Sequence, residues 1–261
     1  MTQVVVLVAA AVAGPAMLLL WSLVYRAGCW SLLVPAGVVA VLTAAGRDRL
    51  LWRRHCLADC LFVEGSALHR LLRSRILVTL IAAAVATGLT AVLMAQIPSW
   101  SFEIVALLAL DALLLATLYV ALYRLAAGGL HVNPGRRGVL AKSGAVALNL
   151  LLVVPALLLV QLQQAPPQYL DAALRLGPTL QAATDSVASG CPLVDQLVRL
   201  GQEGEAFAWW LTLRATRAID DAQLRWIAWL LFLASGTLSL WAYGSFCVQL
   251  IHYAQRVAGR P

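Results

Sequence analysis

Asp111 lies in the run Ala-Leu-Leu-Ala-Leu-Asp-Ala-Leu-Leu-Leu, and its carboxyl group is the sharpest chemical feature of the chain. A carboxylate among aliphatic side chains must be protonated, paired or near water, because a bare charge in hydrocarbon costs at least ~2.5–3.5 kcal/mol. One use for such a group is a proton or cation site. The other is a neutral carboxyl hydrogen-bonded to a neighbouring helix or partner chain, which fixes assembly. Asn149, inside another apolar run, is its chemical match, although the helix rise puts the two about 10 Å apart in depth.

Other reactive residue types lead less far. His55-Cys56-Leu57-Ala58-Asp59-Cys60 contains ligand types, and Cys56 and Cys60 share a helical face. A closed zinc site needs four ligands and this stretch offers two thiolates, so packing cysteines are the expected reading. Cys29 and Cys191 can both lie on an oxidising side, where a bridge would staple two regions together, but spacing alone supplies no geometry. His55, His69, His131 and His252 sit outside or at the edges of the apolar runs, so a bis-histidine haem within a bilayer is excluded. A second membrane aspartate, which an intramembrane aspartyl protease needs, is missing, as are a GxSxG elbow, a P-loop and HExxH. Gly128, Gly129, Gly135 and Gly138 flank Arg136 and Arg137, a pattern that suits a flexible connector better than a phosphate cradle. No catalytic set and no cofactor or metal site is expected.

The elements that must carry these residues follow from composition. Of 261 residues, 62% are hydrophobic and 12% charged, and mean hydropathy is +0.84. Soluble domains run near half apolar and a quarter charged. Too few polar residues remain to coat a buried core, so the medium must be a lipid bilayer. The formal charge of +7 is then a matter of membrane orientation, and nucleic acid is not an expected partner.

The expected fold is all-α and polytopic, with six transmembrane helices. A span needs about 20 mostly apolar residues, and 3–25, 76–96, 104–124, 144–164 and 226–250 meet this. The shorter run 28–45 carries Pro35 and Gly37 but no charge; four or five spans plus a re-entrant hairpin is the alternative. Residues 3–25 read as a retained span. The chain then divides into a hairpin over 1–45, a basic segment over 46–75, spans over 76–164 around a basic loop 125–143, an extracytoplasmic helical cap over 165–225, and a final span and tail over 226–261.

Arginine orients this set. Segments 46–75, 124–143 and the tail hold 13 basic and 3 acidic residues, whereas the opposite side holds 6 and 8. Both termini are therefore expected in the cytoplasm of an inner (plasma) membrane protein. Arg47, Arg49, Arg53, Arg54, Arg136 and Arg137 are candidate contacts for lipid headgroups. Trp21, Tyr25, Trp30, Trp100, Phe102, Tyr119 and Tyr243 lie near span ends, where aromatic rings anchor at the interface.

Prolines and glycines punctuate 165–225 into three or four expected short helices, and a cap of this size rarely stands alone. Trp209 and Trp210 mark its candidate partner surface. Small residues four apart, such as Ala10 and Gly14 or Ala84 and Gly88, permit close helix approach. The function expected on these grounds is a non-enzymatic membrane subunit of a larger envelope complex, or one that self-associates. Its rival is a small oligomeric transporter or channel using Asp111.

Overall fold

The computed structural model describes residues 2–61, 74–129, 134–163, 167–170, 175–185, 187–218 and 222–258, and their regular structure is entirely helical. The helices are α1 (Thr2–Val24), α2 (Leu33–Leu61), α3 (Arg75–Gln96), α4 (Phe102–Gly129), α5 (Pro134–Gln163), α6 (Leu176–Thr184), α7 (Pro192–Ala218) and α8 (Ala222–Ala258). Short 3-10 turns at Cys29–Leu32 and Ile97–Ser99 lead into α2 and out of α3.

Five helical stretches among these residues are long and apolar enough to cross a membrane: Val5–Val24, Cys29–Leu51, Arg75–Gln96, Phe102–Gly128 and Arg137–Leu157. Their outward faces are apolar, with Leu23 78% exposed, Ile76 74% and Leu151 71%. Water would penalise that exterior, whereas acyl chains match it. The protein is therefore a helical membrane protein.

Helix α8 is the axis of the bundle. It packs against α1, α2, α3, α4, α5 and α7, and every residue from Ala242 to Gln249 is buried. Small residues let other backbones come close. A Cβ on Gly14 of α1 would lie 2.5 Å from Cys247 Sγ, so α1 and α8 touch along bare backbone there. Gly88, by contrast, faces open space, and its small-residue pair with Ala84 is not used for packing.

Three expected boundaries shift. The second helix does not end at residue 45 but runs unbroken to Leu61, because no glycine or proline intervenes after Gly46. The expected loop 125–143 is mostly helix: α4 continues to Gly129 and α5 starts at Pro134, a residue preorganised for a first helical turn. The glycines at 128, 129, 135 and 138 are thus helical and form no connector. Finally, Gly201 and Gly204 do not break the region after Pro192 into short helices, and α7 runs 27 residues through both. A helical glycine costs only about 1 kcal/mol relative to alanine, and Gly201 is where α7 lies against the Ala95 carbonyl.

Candidate functional site: polar groups buried in the bundle

Polar side chains enter the bundle at three levels, each set by a local feature of sequence. At the end holding Trp100, Pro98 has no N–H to give the carbonyl four residues earlier. Trp21 Nε1 donates to that Met94 carbonyl instead, at 2.9 Å. Trp21 is fully buried and joins α1 to α3, so it is not an interface anchor as expected. Tyr119 and Tyr243 are buried as well, whereas Trp30 and Phe102 are more than 80% exposed. Nearby, Ser239 Oγ donates to Gln96 Oε1 at 2.6 Å.

Cys29 and Cys191 form a disulfide at this end, with a Cα–Cα distance of 5.0 Å. Each follows a glycine in the left-handed region, Gly28 at φ 87° and Gly190 at φ 73°, a conformation that side chains resist. Pro192 then starts α7, and Asp195 in its first turn accepts from the Ser189 amide at 2.7 Å. A preset turn on either side therefore aims the two sulfurs at each other and fixes the start of α7.

At mid-depth, Asn149 Nδ2 donates to Asp111 Oδ2 at 3.1 Å, and both residues are buried. The expected 10 Å offset in depth is absent. It came from placing the α5 span at 144–164; the membrane-length stretch is Arg137–Leu157, and the shift carries Asn149 to the level of Asp111. One oxygen of each residue, Asp111 Oδ1 and Asn149 Oδ1, has no hydrogen-bond partner. One turn from Asp111, the Tyr243 hydroxyl donates to the Leu108 carbonyl. Leu108 and Tyr243 line a cleft of about 320 Å³, whose wall otherwise includes Leu18, Ser22, Pro98 and Phe102.

The third level, at the opposite end, was missed in the sequence. Lys142 is the chain's single lysine and is only 1% exposed. Its Nζ donates to Asp48 Oδ2 at 3.2 Å and to Gln249 Oε1 at 2.9 Å, tying α5 to α2 and α8. His252 lies close by, its Nδ1 2.7 Å from the Tyr119 hydroxyl. Burial, then the charges of Lys142 and Arg256, push the His252 imidazole down to about 4, so it is neutral at pH 7. A Cβ on Gly138 would meet His252 Cε1 at 2.8 Å, and the glycine is what admits the ring. The only sequence signal for this cluster was a lone lysine where every other base is arginine.

Among the other candidates, Arg47 is exposed and Arg49 and Arg137 are half-buried. The side chains of Arg53, Arg54, Arg136, His55, Cys56 and Cys60 lie outside the described ones. Trp209 and Trp210 are half-buried on α7. Trp210 stacks on Phe207 with centroids 5.8 Å apart, and the Arg214 guanidinium lies over its ring at 5.2 Å. The chain matches no protein-family model, no curated protein and no solved structure.

Helix α7 carries two apolar stripes. One, with Val194, Val198 and Ala206, is fully buried; the helix packs on α3, α6 and α8. The other faces away: Leu193 is 66% exposed, Leu200 67% and Phe207 45%. These three stand seven residues apart, the repeat that keeps one seam facing a partner helix.

Proposed function

We propose that this protein is a non-enzymatic membrane subunit that binds another protein through the exposed face of α7. The observation that carries the reading is the heptad-spaced stripe Leu193, Leu200 and Phe207 on a helix already fixed at its start by the Cys29–Cys191 bond. A helix with one apolar stripe needs only its own bundle. A second stripe, extended by the Phe207–Trp210–Arg214 stack, offers a ready seam for another helix. In this reading the chain crosses an inner (plasma) membrane six times with both ends cytoplasmic, and α6 and α7 form an extracytoplasmic cap. The arginine partition and the disulfide support that orientation, since a bridge persists on an oxidising side.

The test is site-directed photo-crosslinking in intact membranes. A crosslinker at position 200 or 207 should yield a discrete protein adduct, and one at buried position 198 should not. With the crosslinker moved to exposed position 193, Leu200→Asp together with Phe207→Asp should abolish its adduct while leaving the Cys29–Cys191 bond and detergent stability unchanged. Absence of any adduct from the exposed positions, with a monodisperse monomer in mild detergent, would overturn the proposal.

The second reading, transport of a proton or cation, is favoured by one observation: Asp111 is buried with one carboxyl oxygen unpartnered, close to a cleft bounded by Tyr243. It requires that Asp111→Asn abolish flux in liposomes. Equal flux from both proteins would remove it.

A further inference from the structure

We propose that the ends of α2, α5 and α8 around Lys142 form a binding site for the phosphate group of an anionic phospholipid. Among the described residues the charges that act on Lys142 are those of Asp48, Arg49 and Arg256; leaving Arg49 aside, Lys142 and Arg256 still outnumber the one carboxylate. That balance disfavours a metal ion or other cation and favours an anion. Cations of this kind gathered between membrane helices suit the headgroup of an anionic lipid.

Gln249 supplies an independent indication. The residue is fully buried and its Oε1 is occupied by Lys142 Nζ, yet its Nε2, a donor, has no partner. An unmatched buried donor beside surplus positive charge calls for an acceptor oxygen that bears negative charge. Neutral His252 adds no charge, and Tyr119 holds its ring in place. The side chain of Asp48 is 37% exposed, which leaves the cluster open at its edge, and Arg256 is exposed beside it. A headgroup arriving from the bilayer interface meets Arg256 first. Arg47, exposed on the same helix as Asp48, is a headgroup candidate by sequence but is not among the groups acting on Lys142, so it reports general surface attraction apart from this site.

The experiment is thermal unfolding of the full-length protein in mild detergent, titrated with phosphatidylglycerol, phosphatidylcholine or inorganic phosphate. Phosphatidylglycerol should raise the unfolding midpoint saturably and phosphatidylcholine should not. Arg256→Gln should raise the half-saturating phosphatidylglycerol concentration roughly fivefold, the loss of one basic residue at a membrane surface, and Gln249→Met should also raise it. Arg47→Gln should leave it unchanged. Because Arg256 is exposed, Arg256→Gln decides the matter even if Gln249→Met fails to fold. Equal stabilisation by the two lipids overturns the proposal, as does a loss in Arg47→Gln matching that in Arg256→Gln, which would mean diffuse surface attraction. A shift produced by inorganic phosphate alone would assign the site to free phosphate and overturn the lipid assignment.

Discussion

At the scale of the residue, the ion pair of Lys142 and Asp48 is lopsided, and this decides how substitutions act. Lys142 is enclosed, whereas the Asp48 side chain is open to the surface. Asp48→Asn strands a buried cation; breaking a fully buried pair costs about 3–5 kcal/mol, and the cost here is smaller because the Asp48 side chain is 37% exposed. Lys142→Met removes the buried charge and fills similar volume, leaving an exposed carboxylate and a buried Gln249 Oε1 without its donor, a neutral group that costs less than a stranded charge. Asp48→Asn is therefore expected to lower the unfolding midpoint in detergent clearly more than Lys142→Met; the reverse order would mean the lysine is solvated. His252 gives a second residue-level expectation. Its folded-state pKa of about 4 lies below the ordinary value of 6.5, so the unfolded chain binds the proton more readily. The stability it contributes is complete above pH 6.5 and is lost as pH falls toward 4. His252→Phe should flatten the dependence of the unfolding midpoint on pH within that window, and an unchanged slope would point to other groups. The Asp111–Asn149 pair was legible by chemistry alone, since an aspartate in an apolar run needs an amide or an acid as partner. Its depth was not, because hydropathy fixes that a run spans a membrane and leaves its sliding register to packing.

At the scale of the element, glycines read alike in sequence and act oppositely in the fold. At Gly201 a Cβ would sit 2.4 Å from the Ala95 carbonyl oxygen, a backbone atom that cannot step aside. At Gly88 nothing lies within 4 Å. Gly88→Ala is expected to stabilise by about 0.5–1 kcal/mol through reduced freedom of the unfolded chain. Gly201→Ala should push α7 off α3 and lower the unfolding midpoint; equal effects at both positions would show that the α3–α7 contact is loose. The small-residue pairs marked in the sequence could not make this distinction, since a glycine signals that close approach is permitted and not that it occurs. Proline was more informative. Pro98 removes one donor, which frees the Met94 carbonyl and turns Trp21 from an expected interface anchor into an interhelical donor. That exchange needs the tertiary neighbour to be known, and no local pattern supplies it. The same holds for α7, whose two glycines predicted a break that packing overrides.

At the scale of the whole molecule, the disulfide and the arginine distribution bear on the same quantity, the sidedness of the membrane. The segments expected inside hold ten more basic than acidic residues, and those expected outside hold two more acidic than basic. Cys29 lies between α1 and α2 and Cys191 precedes α7, both in the region of low positive charge. A bridge closing a separation of 162 residues removes freedom from the unfolded chain, and such bonds contribute about 2–4 kcal/mol. Cys29→Ser, Cys191→Ser and the double variant should therefore lose the same stability, because each destroys one bond. In sealed cells or spheroplasts, a membrane-impermeant reductant followed by an impermeant maleimide should label Cys29, the exposed partner of the pair, in the wild-type protein. A cysteine placed at Arg47 should stay unlabelled until the membrane is opened. The two labels test different physical causes: the first depends on the redox chemistry of the compartment, the second on where cations are retained during insertion. Labelling of position 47 from outside, with the bridge untouched by the same reductant, would reverse the orientation. It would also place the exposed α7 seam on the cytoplasmic side, where its partner would then have to be sought.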